Sequence, residues 1–339
     1  MQRSGLRLAP DTEGLPTNNI DRYGRTIDYL RISITDRCNL RCVYCMPPEG
    51  VQLGPKDELL SFEEIWRVAG AARRLGFRKF RITGGEPLVL KDILPFIEGL
   101  QRRIDGALLC MTTNAVQLAP RVDDLRRLGV ARLNISLDTL NPERFAALTR
   151  RACLSDVLDG LDRAVAAGFE RIKINAVIVP GFNEDDIIPL AELARTRPID
   201  IRFIERMPLN GHTDEGFLGA DEIYRRLDAH YGLHPLAPED NRAAAQHLFG
   251  SSDLQGRIGL IAPRSNKFCA TCNRMRLTPS GELKGCLLSE GTLDIRDTLR
   301  SGVSDDELLD LLRLAVGIKP LEYHNEAYGL DRSMSAIGG

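Results

Sequence analysis

Six of the eight cysteines in this chain fall into two tight groups, Cys38-x3-Cys42-x2-Cys45 and Cys269-x2-Cys272-x13-Cys286. Each group stops at three thiols. A structural zinc ion takes four protein ligands, and neither group has a further Cys or a His close by, His212 and His247 being the nearest candidates. Three thiolates on a cubane of four irons leave one iron without a protein ligand, so a small molecule can bind it directly. The pattern points to two [4Fe-4S] clusters, each with an open iron, and leaves open a zinc site completed by a distant residue. Cys110 and Cys153 are isolated and read as small buried hydrophobes.

The elements that must position these thiols can be read from residue 27 onward. Strand-like runs at 29–35, 79–83, 108–114, 132–138, 171–179 and 200–205 alternate with helical patterns near 61–76, 92–104, 120–128, 154–168, 184–196 and 220–231. This predicts an α/β fold with a parallel sheet of six βα units, two short of a closed eight-stranded barrel: an incomplete (β/α)6 TIM-like barrel. Side chains on a strand alternate between faces. One face collects Arg31, Ser33 and Thr35; Lys79, Arg81 and Thr83; Thr112 and Asn114; Asn134, Ser136 and Asp138; Lys173 and Asn175. The other collects Leu30, Ile32, Phe80, Ile82, Leu133, Ile135, Ile172 and Ile174, where helices must pack. A filled barrel would be apolar inside as well. The polar face therefore predicts either a two-layer sheet with that face in water or an open partial barrel whose concave, cationic wall holds a large anion.

After about residue 232 the βα rhythm gives way to short strands with a Pro279-Ser280-Gly281 turn, followed by two amphipathic segments near 294–316. The expected organisation is a disordered segment at 1–18, the partial barrel at 19–231 and a small C-terminal cluster-binding unit at 232–339. The chain has 339 residues, 27% charged and 43% hydrophobic, and no apolar run near the roughly 20 residues of a membrane helix. Its first residues lack the apolar stretch of a secretory signal, so a cytoplasmic protein is expected. Forty-five basic against forty-seven acidic residues give a net charge of -2, without the basic excess that nucleic-acid binding requires.

The motifs also carry a resemblance. Cys38-x3-Cys42-x2-Cys45, with Tyr44 before the last thiol, and Gly84-Gly85-Glu86-Pro87 after the second strand resemble the cluster and methionine-amino motifs of the radical S-adenosylmethionine superfamily. The runs "YLRISITDRCNLRCVYCMP", "RITGGEPL", "MTTN", "NISLDTL", "KINAV" and "CNRMRLTPSGELKGCL", in this order and with a Gly-Gly end, resemble the GTP 3′,8-cyclase family, which opens molybdenum-cofactor biosynthesis. The chain departs from that pattern at Ala115, Leu90 and Ala336.

The resemblance implies that Cys38, Cys42 and Cys45 hold a radical-generating cluster, with Tyr44, Gly85, Ser136 and Met207 contacting S-adenosylmethionine. It implies that a 5′-deoxyadenosyl radical removes the ribose 3′ hydrogen of GTP, after which the ribose carbon attacks C8 of the guanine. The second cluster, on Cys269, Cys272 and Cys286, would present its open iron to the guanine. Arg31, Arg81, Thr112 and Lys173 are assigned to GTP by the family motifs; Lys79 and Arg202 are added from their place on the strand face. The run Arg274-Met275-Arg276 is also expected at the substrate, with Arg276 in a catalytic role, and Gly338 and Gly339 are expected to reach back toward the site. A homodimer, a reductant and a downstream cyclic pyranopterin monophosphate synthase are the implied partners. Two alternatives remain: a radical S-adenosylmethionine enzyme that modifies a peptide and carries an auxiliary cluster, and a structural zinc protein acting as an interaction module.

Overall fold

The computed structural model of the chain describes residues 18–50, 55–207, 216–237, 247–289 and 292–323. Six strands, β1 (Tyr29–Ser33), β2 (Lys79–Thr83), β3 (Leu108–Thr113), β4 (Arg132–Ser136), β5 (Arg171–Ile178) and β6 (Asp200–Glu205), lie side by side in chain order and run parallel. Helices α1 (Phe62–Leu75), α2 (Ile93–Arg103), α3 (Val122–Arg127), α4 (Pro142–Thr149), α5 (Leu154–Ala166), α6 (Ile187–Thr196) and α7 (Ala220–Tyr231) follow or connect them. The sheet does not close, which agrees with an α/β partial barrel.

Local chemistry sets these elements. A capping box of Ser61 and Glu64 opens α1, which buries Ile65, Val68, Ala72 and Leu75 along one stripe and ends at Gly76 with φ +110°. Each strand turns its apolar set toward the helices: Leu30, Ile32, Phe80, Ile82, Leu133, Ile135, Ile172 and Ile174 all lie in one continuous core. The opposite face is not a solvated sheet surface. Arg81 is 4% exposed, Lys173 8% and Asn134 6%, as they would be inside a concavity and not on a flat polar layer.

The C-terminal strands do not form a sheet of their own. β7 (His234–Leu236), β8 (His247–Gly250) and β9 (Arg257–Ile261) extend the sheet beyond β6, while β10 (Arg274–Leu277), β11 (Glu282–Lys284) and β12 (Thr292–Asp294) extend it beyond β1. Both joins are parallel, β9 to β6 and β10 to β1. The chain's last described helices are α8 (Arg296–Arg300) and α9 (Asp305–Gly317), the latter packed on α1. Among the described residues no helix is long and apolar enough to cross a membrane.

Candidate active site

The first thiol group sits on the loop after β1. That loop rests on the end of β2, where the Gly85 N–H donates to the Thr35 carbonyl (2.7 Å) and the Glu86 N–H to the Arg37 carbonyl (2.8 Å). Only glycines fit this approach. A Cβ on Gly85 would lie 2.2 Å from the Arg37 oxygen, and one on Gly84, whose φ is +153°, would lie 2.6 Å from the Thr35 oxygen. Glu86, 1% exposed, accepts from the Leu88 N–H (3.0 Å), the Thr113 hydroxyl (2.8 Å) and the Asn114 N–H (2.6 Å). Burial outweighs these bonds and pushes its carboxyl up to about 7. Asn114, held in this way, donates to Asn39 (2.7 Å) and to the Cys38 sulfur (3.8 Å).

The far side of the loop is held from α4. Arg150, in the left-handed region at φ +56°, donates to the carbonyls of Arg41 (2.7 Å) and Met46 (3.1 Å), bracketing Cys42 and Cys45. Tyr44 donates to Asp138 (2.6 Å), and Asp138 also accepts from the Val177 N–H (2.8 Å). Burial raises the Asp138 carboxyl to about 6 despite both bonds. The Cys42 thiol is pushed well up by burial, then by Asp138 and by its neighbours Cys45 and Cys38. Proteins hold such thiols as thiolates when a metal takes the proton's place.

The second group is built on the β10–β11 hairpin. Cys269 starts a 3-10 turn, Cys272 ends it just before β10, and Cys286 follows Gly285 at the end of β11. Burial raises the Cys269 thiol, with Cys286 and Cys272 adding to it. At Cys272 burial also acts upward, but Lys319 and Arg274 outweigh it and the thiol is lowered. Among the described residues no three Cys, His, Asp or Glu side chains converge on one point as ligands of a single metal ion.

Because β10 runs parallel to β1, Cys272 lies at the amino-terminal ends of the strands and Cys38 beyond their carboxyl ends. A five-residue strand, roughly 16 Å at about 3.3 Å per residue, separates the two. All six thiols line one cavity of about 670 Å³. Its wall between them is cationic. Arg276, Arg31 and Arg81 stand in register on the adjacent strands β10, β1 and β2, and Arg274, Tyr29 and Lys79 form the next row. Thr112, Lys173 and Arg202 complete the lining on β3, β5 and β6.

Burial, with Arg276 and Arg81 beside it, holds the Arg31 pKa well below the ordinary guanidinium range. Burial and Arg274 bring Arg276 down to about 10, while burial and Arg81 bring Arg202 to about 9. Tyr29 moves oppositely to what burial alone would do: Arg81, Arg31 and Lys79 draw its phenol down to about 7. The Arg81 Nε donates to the Tyr29 oxygen (2.6 Å), and the Lys79 ammonium sits 4.6 Å above its ring. Arg202 donates to Asn175, while its buried Nε and the Asn134 Oδ1 have no hydrogen-bond partner in the described structure. A polyanion is the ligand that such a wall would accept.

Tyr44, Gly85, Ser136 and Met207 line the same cavity near the carboxyl ends of the strands. Met275 is a correction to the sequence reading. Its side chain points to the other face of β10, fully buried opposite Leu30 in the core, because it alternates with Arg274 and Arg276. Gly338 and Gly339 lie outside the described residues. Tyr29 and Arg132, both in the lining, were missed, although one further step of the same period-2 face reaches each of them. Lys319 was also missed, and its place after a helix gives no periodic signal.

The Radical SAM superfamily model matches residues 32–194 and the Molybdenum Cofactor Synthesis C model residues 199–325. A Pseudomonas aeruginosa protein named GTP 3′,8-cyclase 2 is 44% identical, covering 94% of this chain and 98% of its own. The GTP 3′,8-cyclase of Desulforamulus reducens is 42% identical over 94% of this chain and the whole of its own. Among solved structures, Streptococcus suis SuiB is similar with a TM-score of 0.60 and 15% identity, covering 92% of this chain and 67% of that one, a likeness of fold alone. With relatives this similar along nearly the full length of both sequences, the chain belongs to the GTP 3′,8-cyclase family of the radical S-adenosylmethionine superfamily.

Proposed function

We propose that this protein converts GTP to (8S)-3′,8-cyclo-7,8-dihydroguanosine 5′-triphosphate, the first step of molybdenum-cofactor biosynthesis. One observation carries the reading: two three-thiol groups at opposite ends of one cavity, with three arginines in register between them. A peptide substrate would not call for so concentrated a cationic wall, and a zinc staple would not call for the cavity.

The residues fit the groups that the family implies. Cys38, Cys42 and Cys45 would hold a [4Fe-4S] cluster, and the half-buried thiols of Cys269, Cys272 and Cys286, which line the other end of the same cavity, would supply the donor set for a second. The first cluster, with S-adenosylmethionine bound, supplies one-electron cleavage of the sulfonium and hence radical chemistry. The protein's own part is binding and orientation. Tyr44, Gly85, Ser136 and Met207 would seat S-adenosylmethionine, and Asp138 fixes the Tyr44 ring. Arg31, Lys79, Arg81, Thr112, Lys173, Arg202, Arg274 and Arg276 would take up the roughly four charges of GTP, which could not otherwise be buried. Of these, Arg276 is the one expected to touch the reacting nucleotide beside the second cluster.

In this reading residues 19–231 form the barrel of the first cluster, and 232–339 contribute the second cluster and the Gly-Gly tail. A homodimer, a reductant for the first cluster and a cyclic pyranopterin monophosphate synthase as the next enzyme complete the proposal, with the protein placed in the cytoplasm. The test is to incubate the anaerobically reconstituted, reduced protein with S-adenosylmethionine and GTP. Formation of 5′-deoxyadenosine together with a cyclised nucleotide, both dependent on GTP, is expected. A protein that cleaves S-adenosylmethionine and leaves GTP unchanged under these conditions overturns the reading.

A further inference from the structure

The second thiol group contains a charge that the reaction described so far does not use. Lys319, two residues past α9, is 2% exposed. Its Nζ donates to the carbonyl of Arg274 (2.9 Å), to the carbonyl of Gly285 and to the sulfur of Cys272 (3.5 Å). One ammonium thereby ties together the strand that follows Cys272 and the turn that precedes Cys286. The hairpin leaves room for it: a Cβ on Gly285 would lie 3.0 Å from the Lys319 Cα and 3.1 Å from its Cβ and Cγ.

A neighbouring cation shows the difference. Arg25 is also buried, and its guanidinium donates to the carbonyls of Cys269 (2.8 Å), Pro320 (2.7 Å) and Leu321 (2.9 Å). Its charge is matched by Asp21 at 2.7 Å. Among the described residues Lys319 hydrogen-bonds two carbonyls and a sulfur and no carboxylate. An ammonium enclosed in this way needs an anion close by. A cubane held by three thiolates is such an anion, and it is more negative still when reduced. Net charge and hydrogen bonds to sulfur are the levers that set the potential of an iron-sulfur cluster.

We infer that Lys319 is a positioning residue that raises the reduction potential of the cluster on Cys269, Cys272 and Cys286, through its fixed charge and its N–H···S bond. The inference rests on the reading that this second group holds a [4Fe-4S] cluster, and the experiment separates the two. In a full-length chain carrying Cys38→Ala, Cys42→Ala and Cys45→Ala, only the second group can hold iron. Iron and acid-labile sulfide are measured after anaerobic reconstitution, and the midpoint potential is followed by electron paramagnetic resonance as dithionite delivers one electron per cluster.

With Lys319 intact, iron and sulfide are expected; their absence overturns the second-cluster reading itself. Given a loaded cluster, Lys319→Met should move the midpoint to more negative potential, and Lys319→Arg should restore it toward the parent value. An unchanged midpoint in Lys319→Met, with iron retained, overturns the inference. Should that variant fail to hold iron, Lys319→Gln keeps an N–H donor without the charge and is read in the same way: a more negative midpoint supports the charge as the cause, and an unchanged one defeats it.

Discussion

At the scale of single residues, Tyr29 is the group whose behaviour is least like its type. Its folded pKa of about 7 lies below that of a free phenol, because Arg81, Arg31 and Lys79 together overcome the burial that acts the other way. The anionic form is thus present above about pH 7 and lost below it, and when present it occupies the Arg81 guanidinium that GTP would engage. GTP should bind less well as pH rises through this range. The terminal phosphate also titrates near pH 6, which acts in the opposite sense but equally on any variant. The ratio of GTP KM values, wild type over Tyr29→Phe, should therefore be close to one at pH 6 and rise about three- to tenfold by pH 8, the equivalent of roughly 1 kcal/mol. A flat ratio measured by steady-state kinetics across that range would exclude the phenolate. A second prediction concerns Arg276, which shares a row with Arg31 and Arg81. Replacing it with Met should reduce GTP turnover by about ten- to a hundredfold, since a charge-assisted contact to the reacting nucleotide is worth about 1.5–3 kcal/mol. S-adenosylmethionine binding, measured by equilibrium dialysis, should be unaffected.

Among the elements, the Gly84-Gly85 turn shows how a strand end places a cluster loop. Gly85→Ala would drive a methyl group into the Arg37 carbonyl at 2.2 Å, a backbone atom that cannot turn aside. We expect a loss of about 1–3 kcal/mol in stability and a substantial drop in iron bound by the first group, with iron at the second group unchanged. Separate iron counts in backgrounds lacking one or the other thiol set would check this. The turn was legible in the sequence as a motif, but the reason for it was not, because the atom it meets lies 48 residues earlier in the chain. The strands were legible for a plainer reason: β1, β2, β4 and β5 alternate polar with apolar side chains, and the apolar set packs in the core under the helices while the polar set faces the cavity. α4 was missed. Its eight residues are set by the Asn141 cap and by Pro142 at its first position, and its apolar stripe is too short to give a period. Ala115 is a subtler case, since its φ of +63° explains why a glycine would suit the position.

For the whole molecule, what could not be read was how the late strands join the early ones. Periodicity fixes which face of a strand is buried, but an edge pairing between β10 and β1 joins residues about 245 apart, and nothing local encodes it. The sequence suggested a second unit beside the barrel, whereas β9 and β10 continue the same sheet from both its edges. This pairing puts Arg276 beside Arg31 and sets Cys272 at the opposite end of the cavity from Cys38. The cationic wall is therefore complete only when both parts of the chain are folded together. A chain ending at residue 232 would leave β1 and β6 as unpaired parallel edges, with Leu30 and Ile32 uncovered by Met275 and Leu277. Open edges of this kind template aggregation. The truncated chain should therefore be insoluble or aggregate on size-exclusion chromatography, even though it retains the whole first cluster motif. The opposite result, a monodisperse fragment that binds iron and S-adenosylmethionine at Cys38, Cys42 and Cys45, would show that the barrel stands without its C-terminal strands. By the same reasoning a point change that leaves the sheet intact should separate the two ends of the cavity: Cys286→Ala is expected to keep S-adenosylmethionine binding within about twofold of wild type while abolishing GTP cyclisation, because only the proposed second cluster would have lost a ligand.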